Sequence, residues 1–331
     1  MRTAEFVSPK HPDKMCDIIS DEILDTFLKQ DPNSLCGIEV VGSHGTVWVC
    51  GEVTTTANVS NDEIVEIVKN VSGVENVNIQ LTSQSLEISN TIKDGCAGDQ
   101  GIILGYACKE TSTMMPFEYE FARQLNKHIY QYYPYDGKTQ VTINGDEATI
   151  VASFQNSKSK HLEELIIDFF KNQNITFNQN FDIGKIYSNP LGEWNVGGFD
   201  INTGLTGRKQ VVDNYGPRIP IGGGSFSGKD ATKVDRSAAY MARKIAVDAI
   251  WKYDLLYAIV ELSYVIGSEQ PIQARIKGND QGINLETGIK LYNVNGYDLS
   301  PNGIIDYLDL KNLKYSETAY WGHFGNNFTW K

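Results

Sequence analysis

The sequence predicts an α+β fold of three similar α/β lobes, each a mixed sheet covered by helices. A helix, a strand pair and a second helix follow one another three times along the 331 residues. No low-complexity linker separates these rounds, so the lobes are expected to pack as one body. Very apolar strands such as LLYAIVEL indicate sheets covered on both faces, in part by another subunit. The predicted lobes span residues 1–90, 91–200 and 201–331.

The first round begins with a helix over about residues 14–29, where apolar residues at every fourth position share one face. The strand pair GIEVVGSHGTVWVCGEVTTT follows, with a turn near Gly42–Gly45. The next segment, SNDEIVEIVKN, opens with a capping box formed by Ser60 and Glu63, which predicts a helix.

The second round has a helix near residues 117–133, a hairpin that turns at Asn144–Gly145, and a helix through KHLEELIIDFFKN. In the third round DRSAAYMARKIAVDAI is a predicted helix with Asp235 as its N-cap. LLYAIVELSYVIG and PIQARIKG are predicted strands, and SPNGIIDYLDLKN begins like a capped helix.

Composition and charge narrow the functional classes. Hydrophobic residues are 41% and charged residues 21%, values typical of a globular protein. The net charge of −12 argues against nucleic acid as the main partner, because nucleic-acid binders present basic faces. Five cysteines without a C-x-x-C pair predict reduced thiols. With neither a signal peptide nor a membrane span in the sequence, we expect a cytoplasmic protein.

The stretch GGGSFSGKD, residues 222–230, matches the start of a phosphate-binding P-loop, but Asp230 stands where Ser or Thr should hold Mg²⁺. Two prolines interrupt the segment before it, where a P-loop has a buried strand, which argues against that motif. The loop is then either an anion site built from backbone N–H groups, Lys229 and Lys233, or a mobile surface loop. Arg208–Lys209 and Lys138 lie in similar glycine-containing turns and favour a polyanionic ligand.

Several acidic residues are candidates for metal or substrate binding. In SPKHPDK, His11 and Asp13 lie at the mouth of the first helix, where Asp13 is predicted to cap the helix or hold Mg²⁺. Asp17, Asp21 and Asp25 continue this i+4 stripe and are interpreted as a solvated face. Glutamates in apolar strands are costly to bury unless paired, which singles out Glu39 and Glu52. A small-residue turn, GCAGDQG, presents Asp99.

Together these segments resemble the methionine adenosyltransferase (S-adenosylmethionine synthetase) family nearly end to end. The resemblance implies three lobes around a pseudo-threefold axis and active sites between two subunits, hence a homodimer or a dimer of dimers. The segments that carry it are HPDK (11–14), GEVTT (51–55), CAGDQGIILGYA (96–107), DGKTQV (136–141), GLTGRK (204–209), GGGSFSGKDATKVDRSAAYMAR (222–243) and ETAYWGHFG (317–325).

The reaction that the resemblance implies is the synthesis of S-adenosylmethionine from ATP, L-methionine and water. The methionine sulfur attacks C5′ of ATP and expels triphosphate, which is then hydrolysed to diphosphate and phosphate. A thioether is already nucleophilic, so no side-chain nucleophile is needed. The enzyme then has to align the sulfur with C5′ and to stabilise the charge of the departing triphosphate.

The resemblance also implies roles for individual residues. Mg²⁺ ions are expected at Asp13 and Asp235, and K⁺ at Glu39. The expected catalytic residues are His11, Lys138, Arg208 and Lys229. The expected ATP-binding residues are His11, Asp136, Lys138, Trp194, Asn202, Arg208, Lys209, Lys229 and Lys233. The expected methionine-binding residues are Glu52, Asn90, Asp99, Asn202 and Lys233.

The chain departs from the family pattern on the methionine side. Asn90 stands where the family carries Gln in the segment that gates the site, and that segment is shortened before Gly95. Asn202 replaces the usual Asp before GLTGRK, and Glu193 replaces a basic residue. Two alternatives therefore stay open: a catalytically weak, nucleotide-binding regulatory member, or a member with altered methionine specificity.

Overall fold

The computed structural model describes residues 1–171 and 182–331, and this part of the chain forms three four-stranded sheets flanked by helices. Asn172, the last residue of one predicted helix, lies outside the described residues. The strands are β1 (Arg2–Val7), β2 (Leu35–Ser43), β3 (Thr46–Thr54), β4 (Asn76–Thr82), β5 (Gly101–Cys108), β6 (Gly137–Asn144), β7 (Glu147–Phe154), β8 (Asp182–Ser188), β9 (Thr203–Leu205), β10 (Tyr257–Tyr264), β11 (Gln273–Asn279) and β12 (Lys290–Asn293).

Long and short helices cover the sheets. The helices are α1 (Pro12–Gln30), α2 (Asn61–Ser72), α3 (Leu86–Lys93), α4 (Phe117–Tyr130), α5 (Ser159–Lys171), α6 (Gln210–Asp213), α7 (Val234–Lys252), α8 (Pro301–Tyr307) and α9 (Ser316–Ala319). Among the described residues, none of these helices combines the length and apolar character that crossing a bilayer requires.

Each sheet takes its hairpin from one third of the chain and one strand from another third. The first sheet has the order β4-β3-β2-β9, the second β1-β6-β7-β8 and the third β12-β11-β10-β5. The first and second sheets are mixed, because β3–β4 and β7–β8 are parallel pairs. The three-lobe α+β prediction is confirmed. Because β1, β5 and β9 cross between lobes, no predicted boundary separates the sheets cleanly, and the boundaries stay a prediction.

One long helix packs on each sheet: α1 on the first, α4 on the second and α7 on the third. The apolar core runs through all three lobes without a break. Both α1 and α7 are buried along almost their whole length, so their polar residues are enclosed with their apolar ones. Such burial requires partners for every charged group on these helices.

Most predicted helix starts are confirmed, and two caps are corrected. The capping box of Ser60 and Glu63 opens α2, and Ser300 caps α8. Asp13 does not cap α1: it lies in the first turn, and His11 is the N-cap. Asp235 likewise lies inside the first turn of α7, whose N-cap is Lys233. Both aspartates are thereby free to bind side chains.

The two predicted hairpins form. The β2–β3 ladder ends at the pair Ser43–Thr46, within the predicted turn region. The β6–β7 ladder continues to the pair Asn144–Glu147, so the turn residues are 145 and 146, one position later than predicted. Asn144 stays in the ladder because a two-residue turn already closes this hairpin.

Candidate active site

The first group of predicted site residues surrounds the N-terminus of α1. The His11 side chain caps the helix: its Nδ1 accepts a hydrogen bond from the Asp13 backbone N–H at 3.2 Å. Pro12 occupies the first turn, where its missing N–H costs nothing. Since Nδ1 accepts this bond, the proton of a neutral His11 ring is on Nε2.

Asp13 connects this helix end to the GLTGRK segment. Its Oδ1 accepts the Leu205 N–H at 3.0 Å, and its Oδ2 lies 2.5 Å from Lys209 Nζ. Arg208 Nε lies 3.6 Å from Oδ1. Burial would raise the pKa of Asp13, but the hydrogen bond and charge of Lys209 outweigh it and hold the pKa below its usual value. We call His11, Asp13, Arg208 and Lys209 the helix cluster.

Burial and neighbouring cations act on His11 as well. Loss of solvent contact, followed by the charge of Lys209, lowers its pKa to about 3, although Asp13 works in the opposite direction. His11 is therefore a neutral ring whose Nε2–H is a hydrogen-bond donor.

Residues predicted to bind adenosine lie near the helix cluster. Asp136 Oδ2 accepts the Gly198 N–H at 3.1 Å, and burial raises the Asp136 pKa to about 6. Trp194, half-buried in the same loop, accepts a hydrogen bond at its carbonyl from the Asn156 N–H. Asn202 is exposed, and its Oδ1 accepts the Thr203 N–H at 2.8 Å. Lys138 is exposed on β6 and pairs with Glu5 at 3.0 Å.

The second group surrounds the glycine-rich loop. Lys229 Nζ lies 2.7 Å from Asp235 Oδ2. Both side chains line an open cavity of 780 Å³ that Asp99 also lines. We call Lys229 and Asp235 the loop cluster. Among the residues described here, Asp99 and the Lys–Asp pair are the candidate site residues on this cavity wall.

The second half of the glycine-rich loop is buried against the first sheet, which argues against the alternative of a mobile surface loop. Lys229 forms an antiparallel β-bridge with Gly37 of β2, and the Ile38 N–H donates to the Gly228 carbonyl at 3.0 Å. Gly228 has φ +80°, and a Cβ there would lie 1.9 Å from the Ile38 carbonyl oxygen. Only glycine fits this close approach. The loop is not a P-loop, since α7 begins only at Val234.

Asp230, the residue that breaks the P-loop pattern, has a structural role. Its Oδ2 accepts the Cys36 N–H at 2.7 Å and lies 3.0 Å from Lys233 Nζ. Its Oδ1 accepts the Thr232 N–H. Asp230 thereby ties the loop to β2 and holds the side chain of Lys233.

Glu39 and Glu52 lie on the first sheet beside the loop cluster. Burial, together with the charge of Glu52, raises the pKa of Glu39 against the opposing charge of Lys229. Glu52 is exposed on β3, in register with Gly37 on β2. Asn90 is exposed on α3, and the structure does not bring it to either cluster.

Within residues 1–171 and 182–331, no hydrogen bond or ion pair joins the charged side chains of the two clusters. The segments that carry them do touch: Gln210 Nε2, next to Lys209, donates to the Gly223 carbonyl at 3.3 Å. One chain thus brings together two sets of predicted residues, each with one lysine–aspartate pair.

The donor sets suit a cation that also binds phosphate. The described part of the chain has no group of three or more His, Cys, Asp or Glu arranged to hold a metal. Mg²⁺ is ordinarily bound through one or two carboxylates together with substrate phosphates and water. Asp13 and Asp235, each a single carboxylate beside a lysine, fit that pattern.

The interpretation of Asp17, Asp21 and Asp25 as a solvated face is wrong. Asp17 and Asp21 are fully buried, and burial raises the pKa of Asp17 to about 7. Each is paired: Asp17 with Lys14 and Asp21 with Arg236. The i+4 spacing of the aspartates was visible in the sequence, but not that other segments of the chain cover this face of α1.

Comparisons with known proteins agree along the whole chain. Three protein-family models match: S-adenosylmethionine synthetase N-terminal domain at residues 1–97, central domain at 94–194 and C-terminal domain at 196–331. The S-adenosylmethionine synthase of Mycoplasmopsis pulmonis is 39% identical, covering 98% of this chain and 93% of that protein. The one from Borreliella afzelii is 38% identical, covering 99% and 94%.

The solved structures include a similar fold of the same family. A structure described as an unusual S-adenosylmethionine synthetase from Campylobacter jejuni has a TM-score of 0.86 and 31% sequence identity. The likeness covers 99% of this chain and 96% of that one.

Proposed function

The chain belongs to the S-adenosylmethionine synthetase family and is an adenosyl-transferring enzyme, and we propose that it makes S-adenosylmethionine by one direct displacement. The methionine sulfur forms a bond to C5′ of ATP while the bond from C5′ to the triphosphate oxygen breaks. Water then cleaves the triphosphate into diphosphate and phosphate. The observation that carries this proposal is the pair of lysine–aspartate contacts, Lys209–Asp13 and Lys229–Asp235.

Each contact combines the two charges that a metal-bound polyphosphate needs. A lysine or arginine stabilises the departing phosphate oxygens, and a carboxylate binds the accompanying Mg²⁺. When the ligand enters, each lysine exchanges its carboxylate for phosphate, and each carboxylate becomes available for the metal. Bound Mg²⁺ supplies further neutralisation of the triphosphate charge. Arg208, Lys138 and Lys233 add positive charge around the same ligand.

His11 acts in this scheme as a donor that orients the leaving group. Because burial and the charge of Lys209 lower its pKa to about 3, the His11 ring is neutral near neutral pH and does not act as an imidazolium acid. Its Nε2–H can donate to an oxygen of the triphosphate, while its Nδ1 remains tied to α1. A neutral donor held by a helix cap loses little orientational freedom on binding.

The two substrates occupy different sides of the cations. We assign adenosine to Asp136, Trp194 and Asn202, beside the helix cluster. We assign methionine to Glu52, Asp99, Asn90 and Lys233, with Asn202 shared between substrates and K⁺ at Glu39. Glu52 and Lys229 both pair with Gly37, two residues before Glu39 on β2, and two acidic groups beside a lysine suit an amino acid and a cation.

We also propose that each complete site forms between two copies of this chain, in a homodimer or a dimer of dimers. The helix cluster and the loop cluster make no direct charge contact within one chain. On the outer face of the first sheet, Trp48 is 42% exposed and alternates with buried Val47 and Val49. Trp48 and Glu52 lie on the same face of β3, so a second copy that covers Trp48 also comes close to Glu52. The five described cysteines are unpaired, which fits the proposed cytoplasmic location.

The assay that tests this function uses purified chain with ATP, Mg²⁺ and K⁺, with and without L-methionine. We expect S-adenosylmethionine, phosphate and diphosphate in equal amounts, and only when methionine is present. Nucleotide binding without turnover would instead support a regulatory member, which Asn90 and Asn202 motivate. Turnover with a methionine analogue but not with methionine would support altered specificity.

A further inference from the structure

Four aspartates on one face of α1 hold three backbone segments from distant parts of the chain. Asp13, Asp17, Asp21 and Asp25 recur at i+4 spacing, so their side chains lie above one another along the helix. Each accepts at least one backbone N–H: from Leu205, Gly207, Gly228, and from both Tyr315 and Ser316, respectively. We call this set the aspartate ladder.

Asp17 holds the turn that presents Arg208 and Lys209. Its Oδ1 accepts the Gly207 N–H at 2.8 Å, and its Oδ2 lies 3.0 Å from Lys14 Nζ. Four helical residues rise about 6 Å, which is close to the span of two extended residues. The segment from Leu205 to Gly207 therefore runs along α1, with one carboxylate under each end. The turn cannot shift along the helix without losing both bonds.

Asp21 holds the glycine-rich loop directly before Lys229. Its Oδ1 accepts the Gly228 N–H at 2.8 Å, and Arg236 binds both of its oxygens at 2.7 and 2.9 Å. Arg236 Nη1 also donates to the Lys229 carbonyl at 3.0 Å. The amide before Lys229 and the carbonyl of Lys229 itself are thus gripped by one buried ion pair.

Asp25 makes the same kind of contact for a segment with none of the proposed site residues. Its two oxygens accept the Tyr315 and Ser316 N–H groups at 2.8 and 2.9 Å. Asp25 therefore serves as a control, because its carboxylate also accepts backbone N–H groups, but from a segment without proposed site residues.

We propose that Asp17 and Asp21 are positioning residues that fix the loops of the phosphate-binding cations on a common helix. This proposal rests on the proposed function only in naming the bound anion as triphosphate. A cation displaced by about 1 Å can cost as much as 100-fold in rate, so rigid loops matter more than the small free energy of one hydrogen bond. Neither aspartate touches the substrate: each acts through backbone N–H groups.

The main test compares Asp17→Ala, Asp17→Asn and Asp25→Ala. Asparagine keeps an oxygen that accepts the Gly207 N–H, while alanine does not. We expect Asp17→Ala to lower kcat by about tenfold or more, with the methionine KM changed less than about threefold. Asp17→Asn should recover most of that loss, because Lys14 still has Asp213 at 2.6 Å. Asp25→Ala should lower the melting temperature with kcat within about twofold of wild type.

Two readouts are independent of S-adenosylmethionine formation. Binding of inorganic tripolyphosphate with Mg²⁺, measured by calorimetry, should weaken about tenfold in Asp17→Ala and not in Asp25→Ala. Hydrogen exchange should rise around residues 203–210 in Asp17→Ala, around 224–230 in Asp21→Ala, and around 313–319 in Asp25→Ala. These readouts decide the role of the ladder even if the wild-type chain makes no S-adenosylmethionine, a result that would overturn only the proposed function.

Equal losses of kcat and tripolyphosphate affinity in Asp17→Ala and Asp25→Ala, compared at equal folded fraction, would overturn the proposal. So would an Asp17→Asn variant as impaired as Asp17→Ala, because the accepted N–H would then be irrelevant. If Asp21→Ala does not fold, because Arg236 loses its buried counter-charge, the Asp17 series still decides the matter.

Discussion

The helix cluster and the loop cluster contain the same lysine–aspartate pair in two different settings. The Asp13 side chain is 3% exposed and is bound by Lys209, by Arg208 and by a backbone N–H. The Asp235 side chain is 16% exposed, and its recorded polar contact among the described residues is with Lys229. One carboxylate is held from several sides, and the other from one.

The glycine-rich loop makes room for the less constrained carboxylate. A Cβ at Gly224 would lie 2.1 Å from the Asp235 Cγ, so a side chain there would displace the carboxylate. Asp235 has one polar partner to exchange, whereas Asp13 has three. We infer that, with both loops fixed on α1, the Asp235 side chain changes partner more readily than Asp13 when the polyphosphate arrives.

The largest expected effect comes from deleting either lysine. Lys209→Ala and Lys229→Ala should each lower kcat by about 10² to 10³, the usual loss when one donor to developing negative charge is removed. The methionine KM should change much less, because these charges act mainly on the leaving group. Steady-state kinetics with both substrates measures this.

The melting temperatures of Lys209→Ala and Lys229→Ala are expected to differ, because the two aspartates are buried to different extents. Lys209→Ala strands a nearly buried carboxylate and should lower the melting temperature by about 4 °C, whereas Lys229→Ala should change it by about 1 °C. Lys109→Ala is the matched control, since Lys109 also pairs with an aspartate, Asp254, at 2.6 Å but away from both clusters. Equal melting temperatures for the two site variants would contradict the difference drawn above.

The next test asks whether the two clusters belong to one site on two chains. Co-expression of Lys209→Ala with Lys229→Ala produces mixed dimers in which one site carries both changes and the other neither. Random assembly should then restore about one quarter of wild-type activity, since half the dimers are mixed and half their sites are intact. Activity no greater than that of the single variants would show that each chain uses its own two clusters.

The smallest effect concerns Asp136, the buried carboxylate beside the helix cluster. Burial in the folded protein raises the pKa of Asp136 from its ordinary value of 3.8 to about 6, so the carboxyl group keeps its proton up to about that pH. Its contribution to stability is thus present below pH 3.8 and is lost as the pH rises through 6. Asp136→Asn should raise the melting temperature by about 2 to 4 °C at pH 8 and by nothing at pH 4. Thermal unfolding across this range checks it, and an unchanged difference at both pH values would refute it.

Short-range patterns in the sequence were enough to predict α1, α2, α4, α5, α7 and α8 and the hairpins, but not α3, α6 and α9. The capping box of α2, the Ser300 cap and the β6–β7 hairpin depend on neighbours a few residues apart, and all three form. The charged residues of GLTGRK and GGGSFSGKD were singled out because they lie in glycine-containing turns, and those of HPDK because they lie at the start of a helix. The spacing of these residues in the sequence does not show which of them contact one another in the folded chain.

Only the tertiary structure shows that β1, β5 and β9 each join the sheet of another lobe, and that other segments pack over the aspartate ladder. An amphipathic pattern shows which face of α1 is polar, but not whether that face meets water or another part of the chain. The partner of Asp17 is 190 residues away, and that of Asp25 is 290 residues away. Burial of a charge is set by the segments that pack over it, and contacts at such separations leave no local trace in the sequence.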